Sequence, residues 1–152
     1  MGRYASFFAS RENLRRFRIL FNVPQGVRVR LVGTSGDHPL SDPVLFSLVS
    51  IVEGGVTFPL SPLLRRFLGF LGVSPILVAP DAFKIVVAVE AINSETGLGL
   101  GLRELCHCYR LHLSEDGIYS LQPRSPARVL VVLRGESCMD GDICADTGFC
   151  LF

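Results

Sequence analysis

The sequence predicts an α+β fold, a single mainly helical domain with a small antiparallel sheet. Residues 58–111 read as three short helices separated by Pro and Gly stops, with many residues suited to packing and few suited to chemistry. Residues 27–32 alternate apolar side chains with Arg, and residues 118–121 and 128–133 are rich in strand formers. At 152 residues, 49% of them hydrophobic and 19% charged, the chain is long enough for one core and too apolar for disorder. Some apolar surface is expected to await a partner.

Taken in order, Ser10 caps a helix over residues 11–21. Its apolar face is Leu14, Phe17, Leu20 and Phe21, with Arg15, Arg16 and Arg18 elsewhere on the wheel. Pro24-Gln25-Gly26 is a turn, and the strand 27–32 then places Arg28 and Arg30 on its exposed face. Residues 33–42 form a polar loop, which has neither the GxxxxGK[ST] nor the GxGxxG spacing of a phosphate cradle. Asp42 and Pro43 open a buried helix over 44–52 that stops at Gly54-Gly55. Residues 56–60 return in extended form, and Thr57 or Ser61 with Pro62 opens a helix over 63–71. Its stripe of Leu63, Leu64, Phe67, Leu68 and Leu71 leaves Arg65 and Arg66 outside, and Gly72 closes it.

Pro75 and Pro80 hold residues 73–80 as an apolar loop. Asp81 then caps the helix 82–92, which is apolar nearly all round and is expected to be the central core helix, with Lys84 and Glu90 its only charges. A Gly-rich turn over 93–101 leads to one more helix over 102–111. The strands 118–121 and 128–133 are expected to pair around a Pro-rich link and to accept 27–32 as a third strand. The chain thus divides into a basic amphipathic helix (1–22), a globular domain (23–133) and an acidic, Cys-containing tail (134–152) expected to lack order.

The net charge of +1 argues against a strong overall attraction for nucleic acid or anionic membrane. The charges are unevenly spread, however: residues 1–30 hold seven Arg against the single acid Glu12, and residues 135–152 hold four acids and no base. Arg11, Arg15, Arg16, Arg18, Arg28 and Arg30 are therefore the candidate nucleic-acid contacts, although they lack interleaved aromatics. The plainer reading is a solvated face.

Cys106, Cys108 and His112 are the densest group of soft ligands, and Cys138, Cys144 and Cys150 follow in the tail. Two positions apart on a helix, Cys106 and Cys108 would point in different directions, and the even spacing of the tail thiols matches no common zinc motif. Cys108 and His112 could share a helix face as a thiol-imidazole pair, but nothing nearby supplies an oxyanion site or an orienting group. No catalytic residue, metal site or cofactor is expected. The N-terminus fits the myristoylation pattern by letter, with the bulky Arg3 directly after Gly2, and its Arg-rich, acid-poor composition mimics a transit peptide. With no secretory signal and no apolar run near the roughly 20 residues a spanning helix needs, an intracellular protein, nuclear or cytoplasmic, with reduced thiols is expected.

The order of Val23-Pro24-Gln25-Gly26-Val27, Pro59-Leu60-Ser61-Pro62-Leu63, Gly72-Val73-Ser74-Pro75, Ala79-Pro80-Asp81-Ala82-Phe83 and Tyr109-Arg110-Leu111 resembles the plant gypsy-type transposase domain. That domain stands near the N-terminus of many plant retrotransposon-derived proteins. The resemblance covers about residues 20–133. Asp81 stands where the family usually has Asn, which preserves capping, and the family's aromatic-rich continuation is replaced by the Cys-bearing tail, as in a truncated copy. The resemblance implies origin in a transposable element and no catalytic residues. Nothing resembles an integrase DDE triad, a reverse-transcriptase aspartate pair or an aspartic-protease DTG. The expected function is non-catalytic assembly with its own kind or another protein, the alternative being a packaging-type nucleic-acid module that uses the Arg cluster. Loss of the usual continuation is expected to leave a sheet edge open.

Overall fold

The structure, a computed structural model, describes residues 4–31, 44–131 and 148–151. Over these residues the chain forms helix α1 (Arg11–Leu20), strands β1 (Val29–Leu31) and β2 (Val44–Ser47), and helices α2 (Leu48–Val52), α3 (Pro62–Leu71), α4 (Pro80–Thr96) and α5 (Leu102–Cys108). Strands β3 (Tyr109–Leu113), β4 (Tyr119–Pro123) and β5 (Gly148–Leu151) complete it. The architecture is the expected α+β one.

Helix α4 is the centre of the core. Pro80 occupies its first turn, where a missing N–H costs nothing, and Gly97 ends it with φ of 69°, a left-handed value that suits glycine. Phe83, Val86 and Val89 are completely buried, each contributing about 1.5–3 kcal/mol of apolar burial. The helix starts earlier and ends later than the 82–92 expected. Its cap is Ala79, and Asp81 lies in the first turn, 2.9 Å from Lys84. There the carboxylate faces the positive end of the helix dipole without capping it.

Helices α2 and α3 and strand β4 pack around α4. The approach of α2 requires glycine at 54. A Cβ there would overlap the Ser50 carbonyl oxygen and come within 2.8 Å of Phe83 Cβ. Helix α3 follows the expected pattern, with Ser61 at its N-cap position, Pro62 in the first turn and Gly72 at φ 63°. Leu63, Leu64 and Phe67 face inward from it.

Helix α1 is capped by Ser10, whose hydroxyl accepts from the Asn13 N–H at 3.1 Å. Its Phe17 is fully buried among Phe7, Phe8 and Phe21, with ring centroids 4.7–5.7 Å away. The expected apolar face is only partly inward, because Leu20 is 62% exposed beside Ile19 at 72%. Docking through one large aromatic sets the roll of the helix and leaves those two outside.

Two antiparallel sheets form, and neither is the expected one. Strand β5 lies between β1 and β2, with Val29 opposite Leu151 on one side and Phe46 opposite Phe149 on the other. Gly148–Leu151 therefore pairs as a central strand within the tail expected to lack order; residues 132–147 lie outside the described residues. The helix expected over 44–52 is divided. Val44–Ser47 is strand and only Leu48–Val52 is helical, since an uncharged apolar run reads equally as buried strand or buried helix until a pairing partner is known.

The second sheet is the hairpin of β3 and β4, with Leu111 opposite Leu121. The helix expected to reach residue 111 stops at Cys108, and Tyr109 continues in extended conformation. Val129, expected in a strand, instead follows a 3-10 turn over Pro126–Arg128 and packs on the core together with Leu130 and Val131. Val78 bridges to Tyr119, and the Ala79 N–H donates to the Tyr119 carbonyl at 2.8 Å, which ties β4 to the start of α4.

Two substitutions separate close packing from backbone freedom. Gly54→Ala is expected to cost about 3 kcal/mol, at the upper end of overpacking effects. Gly69→Ala, in α3 with nothing within 4 Å of the new Cβ, should stabilise by about 0.5–1 kcal/mol through helix propensity. Urea denaturation of each variant beside the parent checks both signs.

Candidate functional site

The Arg cluster separates into different roles. Arg11, Arg15 and Arg16 are exposed on α1, Arg16 standing 3.6 Å from Glu12. Arg18 serves the fold. Its guanidinium donates to the carbonyl oxygens of Val27, Pro24 and Gln25 at 2.9, 2.7 and 3.1 Å, which holds the turn after α1 closed. Arg28 is exposed just ahead of β1, and Arg30 lies in β1 opposite Cys150. The basic surface on α1 is thus Arg11, Arg15 and Arg16, with the exposed Ile19 and Leu20 nearby in sequence.

Cys108 and His112 do not form the helix face that their spacing allows, and Cys106 is not brought to them on it. Cys108 is buried at the end of α5, Cys106 is half-buried, and His112 is exposed on β3 beyond the helix end. The change from helix to strand at Tyr109 removes the i, i+4 relation of Cys108 and His112. Among the described residues no three His, Cys, Asp or Glu side chains come together as a metal site would need.

A cleft of about 410 Å³ lies between α3, α4 and the 97–101 link, lined by Ser61, Leu63, Arg66, Glu90, Asn93 and Gly101 among others. Glu90 and Asn93 hold these elements together, while the buried Ser61 hydroxyl has no hydrogen-bond partner among the described residues. The Glu90 carboxylate accepts from the Leu63 N–H at 2.9 Å, a negative charge at the positive end of α3. Asn93 both donates to the Leu100 carbonyl at 2.7 Å and accepts from the Leu100 N–H at 2.6 Å. At the adjoining start of α5 the Glu104 carboxylate accepts from the Gly101 N–H at 2.8 Å, and that bond holds its pKa below the usual carboxylate range.

The feature that sequence reasoning only half anticipated is the outer edge of the hairpin. The Arg124 N–H donates to the Cys108 carbonyl and the Ser114 N–H to the Ile118 carbonyl, at 2.8 and 2.9 Å. In an antiparallel ladder paired groups alternate, so Arg110 and His112 bond to β4 while the main-chain groups of Leu111 and Leu113 point away from it. The Leu111 and Leu113 side chains are also 41% and 53% exposed. Among the described residues nothing pairs with this edge. Tyr109 differs, because its N–H donates to the Leu105 carbonyl and its own carbonyl accepts from Arg124 Nε at 3.2 Å. The signal in the sequence is the alternation of Tyr109-Arg110-Leu111-His112-Leu113, whose first three residues fall within the helix expected over 102–111.

Comparison with protein-family models, with curated proteins and with solved structures finds no match to this chain. Among the described residues no helix is long and apolar enough to cross a membrane.

Arg18→Ala is expected to destabilise the domain by about 1–3 kcal/mol, the range for losing charge-assisted hydrogen bonds, and Arg15→Ala to stay within about 0.5 kcal/mol. Thermal unfolding of the two variants distinguishes a structural arginine from a surface one. For Glu104 the folded pKa is lowered, so its contribution is present above the usual glutamate range and is lost as pH falls through the lowered value. The gap in melting temperature between wild type and Glu104→Ala should therefore be widest near neutral pH and narrow on acidification.

Proposed function

We propose that this chain is a non-catalytic domain of transposable-element origin that works by protein–protein assembly inside the cell. The observation that carries the assembly reading is the edge of β3, where main-chain groups unpaired among the described residues coincide with exposed Leu111 and Leu113. Edges of this kind recruit another strand unless charge, Pro or a covering segment blocks them. Phe70, 58% exposed on α3, and Ile19 and Leu20 on α1 add apolar surface elsewhere. The resemblance of residues 20–133 to the plant gypsy-type transposase domain supports the origin.

A nucleic-acid-binding module remains the second reading, favoured by the exposed Arg11, Arg15 and Arg16. Arg18 contributes little to it, since its guanidinium already holds the 24–27 turn. Size-exclusion chromatography with light scattering, at low and high salt and with and without a random oligonucleotide, tests the ranking. A salt-resistant assembly indifferent to the oligonucleotide is expected. A monomer that shifts with oligonucleotide only at low salt, and no longer does so with Arg11, Arg15 and Arg16 changed to Ala, would reverse it.

A further inference from the structure

We infer that the partner at the β3 edge is a second copy of this chain, paired antiparallel about a two-fold axis at His112, an inference that rests on the assembly reading above. The free groups themselves select this register. Tyr109 is already engaged on both its N–H and its C=O, so the edge offers Leu111 and Leu113. An axis through His112 sets Leu111 opposite Leu113 of the second copy and Leu113 opposite its Leu111, and every free N–H and C=O finds a partner. An axis through Leu111 would set Leu113 against the engaged Tyr109 and leave groups unpaired.

Charge points to the same occupant in the same direction. One end of the hairpin carries the exposed Arg110 and Arg124, and the turn at the other end carries the exposed Glu115 and Asp116. Antiparallel copies bring each acidic turn toward the basic end of the other, whereas parallel copies would place like charges together. The inner faces continue across the join as well. Leu111 and Leu113 share the face of the buried Tyr109, so the leucines of the two copies cover one another and the two hairpins become one four-stranded sheet.

The full chain is tested by light scattering across the micromolar range. Wild type should show a concentration-dependent dimer. Leu113→Lys and Leu113→Pro should each weaken it by about tenfold or more, and Ile19→Ser should leave it unchanged. Because an edge variant can misfold, His112→Cys gives an independent readout: facing non-hydrogen-bonded residues have Cα atoms about 4.5 Å apart, within reach of a disulfide. Mild oxidation should join position 112 to position 112, identified by peptide mass spectrometry, while Leu113→Cys joins to its own equivalent far more slowly. A dimer that survives Leu113→Lys undiminished and gives no 112–112 link refutes the β3 edge and leaves assembly through another face. A wild type that stays monomeric refutes the second copy, and the assembly reading is then decided separately by the oligonucleotide experiment.

Discussion

The burial of α4 on several sides is the constraint on which the rest of the structure depends. A helix with Phe83, Ile85, Val86 and Val89 in the core cannot face solvent on more than a narrow strip, so other elements have to close over it. Helix α2 does so by approaching at Gly54, helix α3 through Leu64 and Phe67, and the hairpin through β4. Each approach is fixed by a polar tie at the margin as well as by apolar contact. Glu90 holds the start of α3, Ala79 holds Tyr119, and the Ser50 hydroxyl reaches the Val78 carbonyl at 3.4 Å.

The open edge follows from the same constraint. Only one strand of the hairpin is needed to cover α4, and β4 takes that place because Val78 and Ala79, at the head of the helix, already bond to it. Strand β3 is then the outer strand. Its first residue is drawn inward, with the Tyr109 hydroxyl donating to the Val131 carbonyl at 3.1 Å and accepting from the Val131 N–H at 2.9 Å. Leu111 and Leu113 are exposed, with their main-chain groups turned outward. The geometry that completes the core therefore also produces the surface through which a second molecule is expected to bind.

What was legible in the sequence was local chemistry. Ser10, Pro62 and Gly72 mark helix ends because capping, a locked φ and left-handed φ act within a few residues. Strand identity depends on partners that lie far away. Val44–Ser47 is strand because β5 pairs with it, and that pairing is invisible in an uncharged apolar run. Residues 128–131 belong to a stretch of strong strand propensity yet take no strand partner among the described residues, which is propensity overridden by tertiary context. The candidate site is less legible in the sequence than the fold. The Arg cluster was visible as charge, but the engagement of Arg18 with the 24–27 turn was not, and β3 was hidden behind an expected helix.

Hydrogen exchange resolved at single amides as a function of protein concentration tests the central claim most directly. Arg110 and His112 donate within the hairpin and should be protected at every concentration. Leu111 and Leu113 should exchange quickly in dilute solution and become protected together as concentration rises. Protection of those two amides that is already complete at the lowest concentration, or that never develops while the protein assembles, would contradict the account.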